Sequence, residues 1–189
     1  MCGGVSDKLT ALNYDLTMRV YLSLLLFIFA SGFSFGQSGE LPTSAFDQFN
    51  LGVQYEKGFG VSTNYEFAAV WYAKAAGQGN AKAQNNLGAM YEDGRGVVEN
   101  DTTAVKWYTK AAEQGNKAAQ NNLGFMYATG KGVIANKVKA YMWWNLAILN
   151  GSADAKNKQP SISKRMTKEQ IAKAYDLSEQ CLANSYKDC

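Results

Sequence analysis

The sequence predicts an all-α fold, a solenoid of helix-turn-helix repeats that is closed by a C-terminal capping helix. Three observations support this fold class. A block of 36 residues occurs three times without insertion, with Leu-Gly pairs starting at Leu51, Leu87 and Leu123. Each copy carries apolar residues at helical spacing, and each has two glycines at its turn. A fixed period of this length is typical of arrays in which every unit buries its apolar face against its neighbours.

The second copy illustrates how one repeat is expected to fold. Gly79 ends the preceding helix and Asn80 supplies an N-cap. The first helix then runs from about Ala81 to Glu92, and Gly88 within it lets the partner helix approach closely. Its buried face has Gln84 at its edge and otherwise consists of apolar residues at helical spacing, namely Ala83, Leu87, Met90 and Tyr91.

A turn and a second helix complete the repeat. Gly94 and Gly96 are expected to form the turn, because glycine adopts positive φ without strain. Such a loop also occurs in phosphate-binding motifs, but the full motif after a strand is missing here. The second helix begins after its N-cap, Asn100. Its buried stripe has the i, i+3, i+4, i+7 spacing and consists of Ala104, Trp107, Tyr108 and Ala111.

The capping positions recur with the same period. Residues suited to an N-cap precede every expected helix of the array: Ser44, Asn64, Asn80, Asn100, Asn116, Asn136 and Ser152. They divide the chain into repeats at 44–79, 80–115 and 116–151, followed by a C-terminal capping segment at 152–189.

The repeated pattern is Ala-x-x-x-Leu-Gly-x-x-Tyr-x-x-Gly-x-Gly-Val, followed by Ala-x-x-Trp-Tyr-x-Lys-Ala-Ala-x-x-Gly. It resembles the Sel1-like repeat, a relative of the tetratricopeptide repeat. The first two copies match from Ala45 to Gly115, except that Asp47 replaces the first alanine of copy one. The third copy departs at 141–147, in a variant similar to the terminal repeat of bacterial members. The resemblance implies a right-handed α/α superhelix that binds proteins or peptides, and it brings no catalytic residue.

Residues 1–36 are typical of an N-terminal extension followed by a secretory signal. Arg19 precedes an apolar run from Val20 to Ala30, and small residues follow that run. The run is short for a membrane span, which needs about 20 apolar residues. We therefore expect export to the periplasm or outside the cell, with a membrane-anchored cytoplasmic protein as the alternative.

Two further expectations concern this region. Cleavage is expected before Gln37, with Ala30-Ser31-Gly32 as the second choice of site, and 37–43 then forms a short linker. Met18 is the expected start of translation, which makes 1–17 a prefix outside the signal.

The capping segment is expected to cover the last repeat. A helix starts at Ser152, and Pro160 then interrupts the repeat register. Residues 167–170 form a capping-box sequence that opens a final helix ending near Asn184. Its expected apolar face, which also includes Ser178 and has Leu177 at its edge, consists of Ile171, Ala174, Tyr175, Cys181 and Leu182.

Cys181 and Cys189 are expected to form a disulfide, since two thiols in an exported protein usually pair. On a continuous helix the two residues would lie about 12 Å apart, which is too far for a bond. The chain must therefore turn back between Asn184 and Asp188. Two free thiols are the alternative.

Composition narrows the possible function. The chain has no histidine, which excludes His-dependent acid–base catalysis, triads and metal sites. Its net charge of +3 is interspersed, and no basic run suggests nucleic acid. Ser161 and Lys164 match the S-x-x-K of serine β-lactamases, but S-D-N and K-T-G are missing. We expect neither an enzyme nor a cofactor. The alternatives are an envelope enzyme of β-lactamase or peptidoglycan type and a purely structural subunit.

A protein or peptide partner is expected on the concave face, which first helices line in this architecture. The candidate binding residues lie opposite the buried stripe of these helices: Phe49, Val53, Glu56, Asn85, Ala89, Glu92, Asn121 and Phe125. Phe49, Val53 and Phe125 are expected to be exposed, with asparagine amides between them that suit an extended peptide or a partner's helix. Alternatively, Phe49 and Phe125 pack against the N-terminal tail or the cap. Self-association is a further option, because three repeats are near the lower limit for a stable array.

Overall fold

A computed structural model describes residues 41–187 and 189, in which Pro42–Cys189 form one compact unit. This part of the chain contains eight helices and no strand. The helices are α1 (Ala45–Lys57), α2 (Tyr65–Gly77), α3 (Ala81–Asp93), α4 (Asp101–Ala112), α5 (Lys117–Thr129), α6 (Lys137–Leu149), α7 (Ala153–Ser163) and α8 (Lys168–Ala183). The expected export signal, the translation start and the cleavage site lie outside the described residues.

The helices pack as an array of hairpins, which confirms the predicted solenoid. Each repeat is one hairpin: α1 with α2, α3 with α4, and α5 with α6. The second helix of one repeat packs on the first helix of the next, so α2 contacts α3 and α4 contacts α5. Both α7 and α8 pack on α6, and they therefore cover the last repeat as expected.

A glycine in each first helix is packed beneath an aromatic ring of the second helix. A Cβ added at Gly88 would lie only 2.7 Å from Cδ1 of Tyr108, and one at Gly52 would lie 2.6 Å from Cδ1 of Tyr72. In the third repeat the equivalent glycine lies against Trp144. The repeated glycine is therefore retained for close helix packing, despite its cost in helix propensity.

Caps and turns follow the predicted pattern. All seven predicted N-cap side chains accept a hydrogen bond from a backbone N–H in the first turn of their helices. Gly94 ends α3 in the left-handed conformation, with φ of 65°. Gly96 follows with φ of 70°, and a Cβ there would collide with the backbone of Tyr65. Gly132 lies in the same way against the backbone of Asp101, so the second turn glycine of the second and third repeats permits close contact with the preceding repeat.

The core contains the predicted stripes, with two differences between repeats. Tyr91, expected on the buried face of α3, is half-buried, as is the equivalent Tyr127, whereas Tyr55 is buried. Trp71 and Trp143 are buried, whereas the equivalent Trp107 is half-buried. Lys110 lies over the Trp107 ring, with Nζ 4.6 Å from the ring centroid. The lysine stem thus shields part of an aromatic surface that the core leaves open.

The C-terminal segment corrects one expectation. Pro160 lies inside α7, which continues to Ser163. Tyr175 and Leu182 are 45% and 38% exposed, although both were expected on the buried face of α8. The reason is that α8 packs chiefly on the single helix α6, which buries only a narrow stripe.

The capping box and the disulfide are both present. Thr167 and Gln170 exchange the two hydrogen bonds that define a capping box at the start of α8. Cys181 and Cys189 are bonded, with Cα atoms 5.3 Å apart. The chain reverses through Ser185 and Tyr186, which both adopt left-handed backbone conformations, with φ of 53° and 65°.

Candidate partner-binding face

The eight candidate binding residues lie on the first helices α1, α3 and α5, on the surface that we call the first-helix face. Seven of them are half-buried and Asn121 is buried, at 7% exposed. Phe49, Val53 and Phe125 are therefore less exposed than expected. The assignment of these residues to partner binding stays a prediction.

Phe49 owes its partial burial to its own repeat. Its ring centroid lies 5.8 Å from that of Tyr72, with the rings tilted by 32°. Such an arrangement is favourable for two aromatic rings. One edge of Phe49 is thus held by α2, and its half-buried ring retains some accessible surface.

Phe125 is held by the core and the capping segment. Its ring packs against the buried cluster formed by the second and third repeats and the cap. Lys158 of α7 places its Nζ 5.8 Å from the ring centroid, at the outer limit of a cation–π contact. The expected alternative of packing against the cap therefore applies to Phe125 in part.

The two candidate carboxylates serve contacts between helices and between repeats. The Tyr72 hydroxyl donates to Glu56 at 2.6 Å, and Arg95 of the next repeat donates to the same carboxylate at 3.2 Å. One repeat later, the Tyr108 hydroxyl donates to Glu92 at 2.7 Å. These contacts occupy part of the hydrogen-bonding capacity of both carboxylates.

These contacts also govern the ionisation of Glu56. Burial alone would raise the pKa of Glu56. The Tyr72 hydrogen bond and the positive charges of Lys57 and Arg95 outweigh burial, so the pKa is lower than its ordinary value. Conversely, burial and the hydrogen bond to Glu56 raise the pKa of Tyr72.

The third repeat replaces this polar pair by another arrangement. Ala128 stands where Glu56 and Glu92 stand, and Trp144 stands where the tyrosines stand. The indole Nε1 of Trp144 donates to the Asn121 carbonyl oxygen at 3.1 Å. The buried donor is therefore still satisfied, now by the backbone of the first helix.

Four asparagines form a chain of hydrogen bonds across the second and third repeats. Asn121 donates to Asn122 at 3.4 Å, Asn122 donates to Asn85 at 3.2 Å, and Asn85 donates to Asn86 at 3.3 Å. The middle bond joins α5 to α3. We call these four residues the asparagine chain.

Sequence reasoning missed two members of this chain, Asn86 and Asn122. A signal for them exists, because the Asn-Asn pair recurs 36 residues apart in the second and third repeats. The wheel of one helix places them about 100° from Asn85 and Asn121, toward the neighbouring repeat. Their role becomes visible only when successive repeats are placed side by side.

One amide oxygen in the asparagine chain has no partner. Oδ1 of Asn121 is buried and accepts no hydrogen bond from any residue in the described part of the chain. A buried acceptor without a partner costs free energy. Such an atom at the end of a polar chain is a candidate contact for a bound donor.

The S-x-x-K sequence lies at the C-terminal end of α7. The Ser161 hydroxyl donates to the Lys158 carbonyl oxygen at 2.7 Å, and the Ser163 hydroxyl donates to that of Pro160 at 3.1 Å. Hydrogen bonds of this kind, back to the preceding turn, are common for serine in helices. The serines are thus accounted for by local helix structure.

Neither a cluster of metal ligands nor a membrane-spanning helix occurs in the described residues. Between residues 41 and 187 and at 189, no three His, Cys, Asp or Glu side chains group as metal ligands. None of the eight helices combines the length and the apolar character that a membrane crossing requires.

Three solved structures resemble the chain. A Sel1 repeat protein from Oxalobacter formigenes is 36% identical, with a TM-score of 0.62, over 76% of this chain and 58% of that one. The protective antigen c5321 from uropathogenic Escherichia coli, which has an SLR fold, is 30% identical, with a TM-score of 0.50, over 75% of this chain and 39% of that one. Cysteine-rich protein B from Helicobacter pylori is 25% identical, with a TM-score of 0.50, over 60% of this chain and 95% of that one.

The chain spans between about two fifths and three fifths of the first two of these proteins. No curated protein sequence matches it. The Sel1 repeat family model matches three consecutive segments, at residues 45–80, 81–116 and 117–152. These segments cover more than half of the sequence and coincide with the three helical hairpins. The chain therefore belongs to the Sel1 repeat family.

Proposed function

We propose that the protein is an exported scaffold that binds a protein or peptide partner along its first-helix face. Sel1 repeat proteins are generally protein-interaction scaffolds, and their fold is typically not catalytic. The proposal for this chain adds the surface, the kind of ligand and the compartment.

The asparagine chain carries the proposal. A side-chain amide has two N–H donors and an oxygen with two lone pairs, so each asparagine retains capacity after its bond to the next. Those groups match the alternating N–H and C=O groups of a peptide backbone. The unpartnered Oδ1 of Asn121 offers a further acceptor to a backbone N–H. An extended peptide, or the exposed polar face of a partner's helix, is the ligand that this arrangement favours.

Apolar contacts at both ends of the face would add affinity. Phe49 lies on α1 and Phe125 on α5, on either side of the asparagines of α3. Both rings are half-buried, so each is fixed by neighbours and keeps part of its surface available. Rigid aromatic side chains bind at low entropic cost, which is why they are frequent at the centres of interfaces.

Export is supported by the disulfide together with the N-terminal signal pattern. Disulfides persist in oxidising compartments and are rare in the cytosol. Cell fractionation with an antibody to the C-terminal half tests this part of the proposal. Recovery of a full-length chain in the cytoplasmic fraction would contradict it.

The binding surface is tested by mutation. Partners captured from envelope extract are identified by mass spectrometry, and the affinity of a purified partner is then measured by calorimetry. Phe49→Ala with Phe125→Ala, and separately Asn85→Ala with Asn122→Ala, should each weaken binding by about tenfold or more. Unchanged affinity in both double variants, with intact helical folds, would refute the first-helix face as the binding surface.

The matched control changes apolar residues elsewhere. Val98 and Ile134 occupy equivalent turns and are 87% and 91% exposed. Val98→Ala with Ile134→Ala removes a similar apolar area from a different surface. It should leave the affinity for the partner unchanged.

A further inference from the structure

The end of each repeat presents the same polar pair, an amide side chain followed by a glycine. The amides of Gln78, Gln114 and Asn150 donate to Gln48, Gln84 and Gln120 at 2.8, 2.7 and 2.9 Å. The glycine that follows each amide has a positive φ, between 74° and 90°. We call the surface formed by these pairs the junction edge. Its geometry repeats with the sequence, since the same bond recurs three times.

One place on the junction edge is occupied by the chain itself. The ring of Tyr186 lies over Gly115, where an added Cβ would be 3.2 Å from Cε2 of the ring. The Tyr186 hydroxyl donates to Oδ1 of Asn150 at 3.1 Å. The tyrosine thus lies between the glycine of the second repeat and the amide of the third. We call this place the occupied site.

The backbone that places Tyr186 in the occupied site is strained. Ser185 and Tyr186 both have left-handed backbone conformations, which non-glycine residues rarely adopt. The backbone N–H of Tyr186 donates to the Cys181 carbonyl oxygen at 2.8 Å, and the Cys181–Cys189 disulfide closes the loop around it. Strained residues persist where surrounding contacts fix them, so the Tyr186 contacts contribute to holding this conformation.

The equivalent place one repeat earlier is open. An added Cβ at Gly79 would meet no atom of the described residues within 4 Å. The amide nitrogen of Gln114 donates to Gln84, as that of Asn150 donates to Gln120. Its Oε1 accepts no hydrogen bond from any residue in 41–187 or 189, whereas Oδ1 of Asn150 accepts the Tyr186 hydroxyl. We call the place between Gly79 and Gln114 the open site.

A cavity of about 420 Å³ lies beside Gln114, within the size range of ligand sites. It is lined by Gln84, Lys110, Glu113, Gln114 and Lys187. Gly79 does not line the cavity, so the cavity adjoins only the Gln114 side of the open site. Charged and polar side chains therefore lie next to the Gln114 amide.

We infer that the open site binds a tyrosine side chain of a partner chain, in the way that the occupied site binds Tyr186. The phenol ring would lie on the bare backbone of Gly79, and its hydroxyl would donate to Oε1 of Gln114. The inference concerns a surface other than the first-helix face and does not depend on it. It rests on the repeat symmetry, which relates the two sites by 36 residues.

The test uses two synthetic peptides and the isotope-labelled full chain. The first peptide is acetyl-Asn-Ser-Tyr-Lys-amide, which copies residues 184–187, and the second has Phe in place of Tyr. Titration followed by NMR should give saturable shifts at the Gly79 amide and the Gln114 side chain. Loss of one hydrogen bond should make the Phe peptide about fivefold weaker. Equal affinity of the two peptides, or no saturable shift at Gly79, would overturn the inference.

Three variants sharpen the result. Gln114→Leu should abolish the shifts at Gly79, whereas Gln180→Leu, at an exposed position on α8, should not change them. Tyr186→Ala should open a second site, with new shifts at Gly115 and Asn150. Binding at Gly115 in that variant without binding at Gly79 in the unmodified protein would also overturn the inference. The comparison of the two peptides on the unmodified protein remains decisive if Gln114→Leu fails to fold.

Discussion

The hydroxyl of Tyr72 lies 2.6 Å from Oε2 of Glu56, and these residues belong to the two helices of the first repeat. The same carboxylate accepts a hydrogen bond from the guanidinium group of Arg95, in the turn of the second repeat. One carboxylate therefore links both helices of its own hairpin and the next repeat. The pair of Tyr108 and Glu92 repeats this link one unit later.

The Glu56 link should make stability depend on acidity. The pKa of Glu56 in the folded protein lies below the ordinary glutamate value of 4.5, so on acidification the unfolded state takes up its proton first. The stabilisation is complete above about pH 4.5 and is lost as pH falls through the folded pKa. Glu56→Gln should thus lower the free energy of unfolding at neutral pH and flatten its decline in acid. Urea unfolding at several pH values measures both effects.

The exposed carboxylate Glu179 offers the control for this experiment. Glu179→Gln should reproduce the acid profile of the unmodified protein. An unaltered acid profile for Glu56→Gln would contradict the coupling of Glu56 to stability.

Replacing Gly88, the glycine beneath Tyr108, should destabilise the fold. Gly88→Ala forces a methyl group to within 2.7 Å of the ring, and overpacking of this kind costs about 1–3 kcal/mol. Gly77→Ala is the matched control, since a Cβ at the helical Gly77 meets nothing within 4 Å in the described part of the chain. It should leave the thermal midpoint unchanged or raise it slightly, because alanine has the higher helix propensity. Equal effects of the two changes on the midpoint would refute the packing argument.

The two turn glycines of the second repeat should differ in how much stability is lost when each is replaced by alanine. Gly94 and Gly96 have similar positive φ values, of 65° and 70°. A Cβ at Gly94 meets only the Glu99 side chain closely, at 3.3 Å, whereas one at Gly96 collides with the Tyr65 backbone. Both alanine variants carry the same backbone strain, so Gly96→Ala should lose more free energy of unfolding than Gly94→Ala. The reverse order in chemical denaturation would be inconsistent with the observed contact between repeats.

The disulfide should stabilise the C-terminal turn. Cys181 and Cys189 are 8 residues apart, and closing so short a loop contributes about 2.5 kcal/mol in the chain-entropy model. Cys189→Ala should release Tyr186 and speed hydrogen exchange at its amide, with little change in the first repeat. The unmodified protein in a dithiol reductant serves as the comparison and should behave alike. Slow exchange at the Tyr186 amide in both the variant and the reduced protein would show that the other contacts of Tyr186 hold the turn without the disulfide.

Much of the fold could be predicted because its determinants are local and repeated. An N-cap such as Asn80 acts within its own first turn, and Gly94 acts within its own turn, so the sequence of one repeat contains both signals. The periodic copies then confirm each other. The predicted burial of Tyr175 and Leu182 is wrong. Burial of an α8 residue depends on how many helices pack against α8, which the sequence pattern of α8 does not contain.

The candidate site was less predictable, because its geometry depends on adjacent repeats. The bond between Asn122 and Asn85 joins residues 37 positions apart on different helices. The burial of Phe125 depends on the core cluster that includes the cap. A helical wheel describes one helix and contains neither relationship. The open site on the junction edge likewise appears only by comparison with the one that Tyr186 fills.

The second repeat makes one N-cap contact to its predecessor that its successor also makes to it. The Asn80 side chain donates to the Ala45 carbonyl at 3.4 Å, and the Asn116 side chain donates to the Ala81 carbonyl at the same distance. A duplicate of residues 81–116, inserted after Asn116, would therefore meet complementary surfaces on both sides. The array can thus be lengthened in steps of one unit, and a longer protein of this design would offer a proportionally longer row of first helices to a ligand.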